Sequence, residues 1–241
     1  MLNDTQIPAP RVAIADTSVP TREWFRFFNS LYNFIGLGTG AVPPTSGGTG
    51  IVTYATGDLL YASAPDVLTK LSVPGLPSYL GTDGTNMPQW IQVAYGEFVS
   101  TATQTAAANT PQLVTLNITE HTRNVTLASN RITVANPGVY TITFSAQLTN
   151  PSTTADDDIY MWFKVNGVDV ANSSSRATVV KSHGGVAGNT ILTVNYFHTF
   201  AANDYFELYW LSFVGSAQIT TFAAGTTPAA PGVILTVGQV I

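Results

Sequence analysis

The sequence predicts a mainly β protein in three parts: an extended arm with a short helix in residues 1–40, a thin stalk in 41–95 and a β-sandwich in 96–241. Three observations support this prediction. Aromatic residues recur at helical spacing in residues 21–35, and glycine and proline interrupt the apolar segments of the stalk region. In the C-terminal region, apolar and polar residues alternate with the period of two that is typical of strands.

The composition narrows the class of protein. Charged residues make up 10% of the chain, against about a quarter in ordinary soluble domains, so neutral polar side chains must cover its surface. Such a surface suits a secreted protein or a component of a large assembly. The formal charge is −5 and no basic run occurs, which argues against a nucleic-acid partner. The chain has no cysteine, which excludes disulfides, thiolate catalysis and cysteine-ligated zinc.

Membrane and targeting segments are not expected either. No apolar run approaches the ~18 residues that a membrane-spanning helix needs. Residues 1–10 lack the basic start and apolar centre of a signal peptide. We therefore expect a protein made in a cytoplasm, without membrane insertion.

The N-terminal region combines an arm and a helix. Three prolines in residues 1–20 favour extended backbone. In residues 21–35, Trp24, Phe28 and Leu31 begin a stripe of helical spacing that Ile35 continues. We expect the glycines that follow to end this helix.

This helix is too aromatic and too short to be stable alone in water. A core helix is one interpretation. The flanking segments offer no core within the chain, so docking against a copy of itself or another protein is favoured. The candidate anchoring residues are Arg22, Glu23, Trp24, Phe25, Phe28, Leu31 and Tyr32.

The stalk region contains only short apolar pieces. Residues 59–61, 67–68 and Leu71 are separated by turn residues, such as Gly57 with Asp58 and Ala64 with Pro65. No piece is long enough to build a core in one chain. We therefore predict a thin stalk in which several chains bury these side chains against one another.

The C-terminal region reads as strands. Residues 139–148 alternate strictly, and the apolar row of 159–165 ends at Asn166 and Gly167, a strong hairpin signal. Residues 205–213 are apolar on both faces, so both faces of this strand must pack against other side chains. In all, about eight strands are predicted, enough for a two-sheet sandwich. The segments are 113–118, 131–134, 139–148, 159–165, 192–200, 205–213, 218–222 and 233–241, with 168–170 as the short return of the hairpin.

The stalk and the N-terminus carry a first resemblance. Gly47, Gly48, Thr49 and Gly50 precede Tyr54, the run Gly-Asp-Leu-Leu-Tyr-Ala at 57–62, a Leu-x-x-Leu piece at 68–71 and a closing segment at 84–90. This pattern resembles a stalk module of bacteriophage fibre proteins. The Pro-rich arm followed by Arg-Glu-Trp-Phe is similar to the start of virion proteins of short-tailed phages. Both resemblances imply a structural virion component.

The C-terminal region carries a second resemblance. Gly138-Val-Tyr-Thr-Ile-Thr-Phe follows Ile132-Thr-Val, and the hairpin at 163–168 and the segment 202–208 come later. Together they resemble the trimeric jelly roll of tumour necrosis factor and complement-type globular heads. Ile142 and Asn203 depart from that family's usual aromatic and glycine. The resemblance implies a jelly-roll head and a homotrimer, with Tyr and Trp side chains around a threefold axis.

The histidines and the three consecutive aspartates give little indication of a metal site. His121, His183 and His198 lack the spacing of metal ligands. His198 lies on an apolar strand face, where a hydrogen-bonded core or interface histidine is the favoured interpretation. Residues 156–158, three aspartates, have the oxygen ligands for calcium, although a solvated loop tip is favoured.

No catalytic constellation is evident either. Glu97, Glu120 and Glu207 are far apart in the sequence and give no paired-carboxylate pattern of a glycoside hydrolase. The serines at 173–175 lack the context of a nucleophilic serine. We expect no enzyme, no metal and no cofactor.

These observations predict a structural phage fibre located in the virion. Residues 1–40 would dock on a virion adaptor, tail or capsid protein, with tail attachment favoured. A trimeric stalk would carry a head that binds a host cell-surface glycan during adsorption, with avidity from many weak sites. Polar loops at 150–158 and 171–189 are the predicted contacts. The candidate residues are Asp156, Asp157, Asp158, Ser173, Ser174, Ser175 and Arg176.

Two alternatives remain at this point. A decorative head fibre would stabilise the capsid without a receptor. A glycan depolymerase spike would need clustered carboxylates and usually a longer, repetitive chain.

Overall fold

The computed structural model describes residues 13, 15–16, 19–34, 48–65 and 67–240. The protein is mainly β, as predicted. It divides into two compact units, Met1–Gln92 and Val93–Ile241. The first unit contains the predicted arm with its helix and residues 41–92 of the predicted stalk, whereas residues 93–95 belong to the second unit.

The described part of the arm forms a two-residue ladder. Strand β1 (Ala15–Asp16) pairs antiparallel with β2 (Val19–Pro20). Helix α1 follows as Arg22–Phe34, which confirms the predicted helix and its start to within one residue. The N–H of Phe25 donates to the Thr21 carbonyl at 2.8 Å and closes the first turn. The rest of the predicted arm, Ile35 and the glycines expected to end the helix lie outside the described residues.

The stalk region contains two short hairpins. Strands β3 (Leu59–Ala64) and β4 (Val67–Leu71) form one two-stranded sheet, and β5 (Tyr79–Thr82) and β6 (Pro88–Ile91) form another. Isolated two-stranded hairpins are marginally stable in water. Both hairpins leave apolar side chains exposed, as expected for pieces that cannot build a core in one chain. These side chains are Leu59, Leu60, Val67, Leu68, Tyr79 and Leu80.

The second unit is built from fourteen strands. They are β7 (Tyr95–Ser100), β8 (Gln104–Thr105), β9 (Gln112–Leu113), β10 (Ile118–Arg123), β11 (Val125–Ala128), β12 (Arg131–Val134), β13 (Gly138–Asn150), β14 (Asp157–Val165), β15 (Val168–Asp169), β16 (Ser175–Val179), β17 (Gly188–Phe200), β18 (Tyr205–Ser212), β19 (Gln218–Ile219) and β20 (Val233–Gln239).

These strands form two antiparallel sheets. Sheet I has the order β10-β7-β20-β13-β17, with β19 beside the end of β13 and β8 beside β19. Sheet II has the order β11-β12-β18-β14-β16, with β9 on β18 and β15 on β14. Most long connections cross from one sheet to the other, so the unit is a β-sandwich with the connectivity of a jelly roll.

The core lies between the two sheets. The inward row of β13 is fully buried, which confirms the alternation expected there. Ile142 illustrates the register, because it lies opposite Tyr196 of β17 and Val237 of β20. Sheet II contributes the predicted row of β14 and the inward face of β18. The largest buried side chains are Trp210, Tyr140, Phe98, Phe144, Phe200 and Phe206.

One predicted strand is wrong. Residues 113–118 do not form a single strand, because β9 ends at Leu113 and β10 begins at Ile118. Val114 and Leu116 are buried as the alternation predicts. However, the Thr115 N–H donates to Gln104 Oε1 at 2.8 Å and the Leu116 N–H donates to Asn130 Oδ1 at 3.0 Å. Side chains satisfy these two N–H groups, whereas Val114 and Asn117 on either side donate to the carbonyls of Leu208 in β18 and Val99 in β7.

One predicted loop is also corrected. Strand β16 lies inside the loop expected at residues 171–189 and pairs with β14. Its inward face is short, because only Ala177 and the buried Val179 are apolar. The hairpin at Asn166 and Gly167 is confirmed, with positive φ angles of 50° and 81° and with Val165 opposite Val168. These angles are typical of a type I′ turn.

Candidate functional site

The three consecutive aspartates point in three directions. Asp156 is exposed and its Oδ1 accepts a hydrogen bond from the Lys181 N–H at 2.8 Å. Asp157 is buried, whereas Asp158 lies on the outer face of sheet II with its Oδ2 3.7 Å from Arg176 Nη1. The carboxylates therefore do not converge on one cation. Within the described ranges, no three His, Asp or Glu side chains are arranged to hold a metal ion.

The Asp157 carboxylate is a structural group. It accepts hydrogen bonds from the Ser212 hydroxyl at 2.6 Å and from the N–H groups of Val214, Ser216 and Ala217 at 2.8–2.9 Å. Burial raises the pKa of this carboxyl, but these hydrogen bonds outweigh burial and lower the pKa below its ordinary value. Asp157 fixes the loop after β18. The expectation that it contacts a receptor is therefore corrected.

Ser173 is corrected in the same way. It is buried, and its hydroxyl donates to the Val170 carbonyl at 2.8 Å, which fixes the loop between β15 and β16. Ser175 is half-buried in β16, with its hydroxyl 3.1 Å from that of Tyr196. Asp156, Asp158, Ser174 and Arg176 remain at the surface or partly exposed.

An aromatic groove lies on the outer face of sheet II. The alternation that sends Met161 and Phe163 into the core sends Tyr160 and Trp162 outward. With Leu211 and other side chains they line an open cavity of about 470 Å³. We call this cavity the sheet II groove. Phe213, Asn109, Asn172, Ser174 and Asp169 also line this groove.

Sequence reasoning missed this groove. Its signal was present, because two aromatic residues alternate with the core row of β14. That signal is weak, since an outward aromatic residue on a strand is common and needs no ligand.

The second face of β18 is partly covered inside the chain. The Arg131 guanidinium lies 4.6 Å from the centre of the Tyr205 ring, and Arg131 Nε lies 3.0 Å from Glu207 Oε1. Lys164 Nζ lies 4.6 Å from the centre of the Tyr209 ring. The sequence predicted that both faces of residues 205–213 are packed. Basic side chains of the same sheet cover part of the outer face.

The outer face of sheet I is more exposed. Phe197 of β17 is 70% exposed, and Ile191 of the same strand and Val139 of β13 are also exposed. The outward side chains between them are neutral. Those of the central strands are Thr141, Thr143, Ser145, Gln147, Thr193, Asn195, Thr199, Ile234 and Thr236. The part of this face formed by β13, β17 and β20 is uncharged and has exposed apolar side chains, so it is suited to association with another surface.

Two glutamates that are distant in the sequence lie on one cavity. Glu97 of β7 and Glu120 of β10 line an open cavity of about 700 Å³ together with His121. A register shift in β10, between Thr119 and His121, accompanies this arrangement. Glu207 is not part of it, because it pairs with Arg131 on sheet II. The separation of Glu97 and Glu120 in the sequence, which shows no paired-carboxylate pattern, did not reveal this shared cavity.

The predicted anchoring residues all lie in α1. Phe25, Phe28, Leu31 and Tyr32 are exposed, and so are Arg22 and Glu23 at the helix start. Trp24 is half-buried and its ring centre lies 5.5 Å from that of Phe28. The helix thus presents a continuous aromatic surface.

His198 is half-buried on the inward face of β17, the apolar strand face where a core or interface histidine was the favoured interpretation. Its ring contacts those of Phe163 and Phe200. Burial lowers the pKa of His198, and Asp204 opposes this effect.

The comparisons with known proteins give no family. No protein-family model matches the sequence, and no curated protein is significantly similar to it. Within the described residues, no helix has the length and apolar character to cross a bilayer.

Proposed function

We propose that this chain is a structural fibre protein of a bacteriophage virion, a homotrimer that binds a host cell-surface glycan through its head during adsorption. The observation that carries the proposal is the apolar surface left exposed by α1, by both hairpins and by the outer face of sheet I. Surfaces of this kind are typical of chains that function within an assembly.

The anchoring role is assigned to α1. The charged side chains of the helix, Arg22, Glu23 and Arg26, sum to a single positive charge, so packing of the exposed aromatic residues rather than charge would hold the helix. Aromatic anchors dominate the energetics of most interfaces. The partner is a virion adaptor, tail or capsid protein, with a tail protein preferred.

Trimerisation is supported by the hairpins and by sheet I. Leu59, Leu60 and Leu68 are exposed in a hairpin that is marginal alone. Phe197 and Ile191 are exposed on the outer face of sheet I. Three chains around an axis bury such residues against identical neighbours.

Receptor binding is assigned to the head. Sheet II and its loops expose hydroxyl, amide and aromatic groups while most charges are paired within the chain. Such a surface suits a neutral glycan. Each site would be weak, and several sites per virion would give avidity.

Electron microscopy of particles labelled with antibodies against the head tests this proposal. We expect label on fibres that project from the virion, and we expect particles made without this chain to adsorb poorly. Unlabelled particles would contradict the fibre role. Label together with normal adsorption of fibreless particles would favour the decorative head fibre instead.

The cavity that carries Glu97 and Glu120 favours a second candidate function, a glycan depolymerase spike. Glycoside hydrolysis uses a pair of carboxyl groups. Incubation of the protein with purified host polysaccharide and measurement of released reducing ends tests it. Release that both Glu97→Gln and Glu120→Gln abolish would support cleavage. No release, or release that both variants retain, would contradict hydrolysis at this cavity.

A further inference from the structure

The sheet II groove has aromatic and aliphatic walls on rigid strands. Tyr160 and Leu211 lie opposite each other on β14 and β18, and Trp162 lies opposite Tyr209. The Trp162 and Tyr209 rings are 5.9 Å apart at their centres. Phe213, just after β18, is exposed beside them. The groove volume of about 470 Å³ lies within the range of roughly 300–1,000 Å³ typical of ligand clefts.

The orientation of Trp162 is fixed by its own hydrogen bond. Its Nε1 donates to Asp169 Oδ1 at 2.6 Å. Asp169 lies on β15, which is paired with β14 through the type I′ hairpin. The indole ring is therefore held in one orientation before any ligand arrives, which lowers the entropic cost of stacking on it.

Uncommitted polar groups lie at the same groove. The side chains of Asn109, Asn172 and Ser174 are exposed and form no hydrogen bond with the part of the chain that the structure describes. The loop that carries two of them is fixed by the buried Ser173, whose hydroxyl donates to Val170. These amide and hydroxyl groups are free to donate to and accept from ligand hydroxyls.

The groove is close to neutral. Asp169 is the one charged residue among its lining residues. Lys164 Nζ lies 3.4 Å from the Asp169 carboxylate and offsets its charge. A phosphate or carboxylate ligand would find no unpaired cation here, because Arg176 nearby pairs with Asp158.

We propose that the sheet II groove is the saccharide site of the head, and that it binds a neutral sugar whose ring stacks on Trp162. The apolar C–H face of a pyranose packs on an aromatic ring, as other apolar groups do. Its hydroxyls pair with Asn109, Asn172, Ser174 and the free oxygen of Asp169. This assignment rests on the proposed function, and of the candidate contact residues predicted from the sequence it retains Ser174.

Saturation-transfer NMR and tryptophan fluorescence on the full chain test this inference. The probes are the methyl glycosides of glucose, galactose, N-acetylglucosamine and rhamnose, with sialyllactose and glucose 6-phosphate as charged comparisons. We expect at least one neutral glycoside to bind. Trp162→Ala should weaken that binding by roughly thirtyfold, the loss expected for an aromatic hot spot of about 2 kcal/mol. Trp162→Phe should retain most of it.

Tyr205→Ala is the matched control, because Tyr205 is also an outward aromatic residue of sheet II but does not line the groove. The Tyr205→Ala variant should bind the neutral glycoside with the same affinity as the natural chain. Circular dichroism of each variant separates loss of binding from loss of folding.

Three results would overturn the groove assignment. They are neutral-sugar binding that Trp162→Ala leaves unchanged, binding of the charged sugars alone, and no binding of any probe at millimolar concentration. The adsorption of the parent phage then separates the two proposals. If particles without this chain still adsorb poorly, the receptor role stands and only the groove assignment fails.

Discussion

The carboxylate of Asp157 and the hydroxyl of Ser212 share a buried hydrogen bond of 2.6 Å that joins the start of β14 to the end of β18. The same carboxylate accepts three backbone N–H groups from the loop that follows β18. One side chain thus closes one end of sheet II.

We predict that Asp157→Asn lowers the free energy of unfolding by about 2–4 kcal/mol. The amide group of asparagine would face N–H donors that need an acceptor, and leaving buried donors unsatisfied costs about 1–3 kcal/mol each. Urea unfolding of both proteins measures the difference. Asp156→Asn is the control, because Asp156 is exposed, and it should stay within about 0.5 kcal/mol of the natural chain.

The same substitution predicts a pH dependence. The pKa of Asp157 is lowered in the folded chain, and the unfolded value is about 3.9. The contribution of Asp157 to the free energy of unfolding is therefore complete above its pKa in the unfolded chain. It is lost as the pH falls through its pKa in the folded chain. The difference between the natural chain and Asp157→Asn should be constant from about pH 5 to 7 and should shrink below about pH 4. A difference independent of pH would contradict this role.

Trimerisation predicts a mass in light scattering of three times the 25.5 kDa chain. In the head alone, residues 93–241, Phe197→Asp should dissociate the trimer into folded monomers, because the charge would be buried against the uncharged part of sheet I formed by β13, β17 and β20. Val168→Asp is the matched control, since Val168 is 69% exposed at the hairpin tip and Phe197 is 70% exposed on sheet I. A natural chain at the mass of one chain would contradict the proposal, as would equal effects of both variants.

The start of the head can be tested by truncation. Ala94 is fully buried, its carbonyl accepts the Gln239 N–H at 2.8 Å, and Tyr95 pairs with Gly238. A chain of residues 93–241 should therefore fold like the natural head. A chain of residues 96–241 should lose about 1–3 kcal/mol, from the lost hydrogen bonds and buried surface. Equal melting temperatures would show that the boundary after residue 95 was adequate.

Anchoring through α1 predicts that Trp24→Ala with Phe28→Ala leaves the head folded but removes the fibre from particles. Both rings belong to the aromatic surface of the helix, and their contact would be lost. Quantitative blotting of purified particles measures incorporation. Asn29→Ala, an exposed polar position of the same helix, should incorporate normally. Normal fibre numbers in the double variant would refute the anchoring role.

The regular parts of the fold were predictable from the sequence. Strict alternation identified β13 and β14, and Asn166 with Gly167 identified the turn after β14. Prediction failed where side chains satisfy the backbone, as Gln104 and Asn130 do for residues 115–116. It also failed for β16, whose short polar pattern becomes a strand only because β14 offers an edge to pair with.

The candidate site was less predictable, because it depends on the direction in which side chains point and on the pairing of strands that are distant in the sequence. The sequence cannot show that Asp157 turns inward while Asp158 turns outward unless the start of β14 is known. Likewise, Glu97 and Glu120 come to one cavity only through the pairing of β7 with β10. Composition did indicate the polar, weakly charged surface that the head presents.

The central claim is that the head carries host recognition, and competition for adsorption tests it most directly. Purified residues 93–241 would be added in excess to host cells before the parent phage, and free particles would be counted over time. We predict that adsorption slows in proportion to the head concentration and that heat-unfolded head has no effect. Unchanged adsorption at a concentration that saturates the cells, together with normal infection by fibreless particles, would contradict the claim.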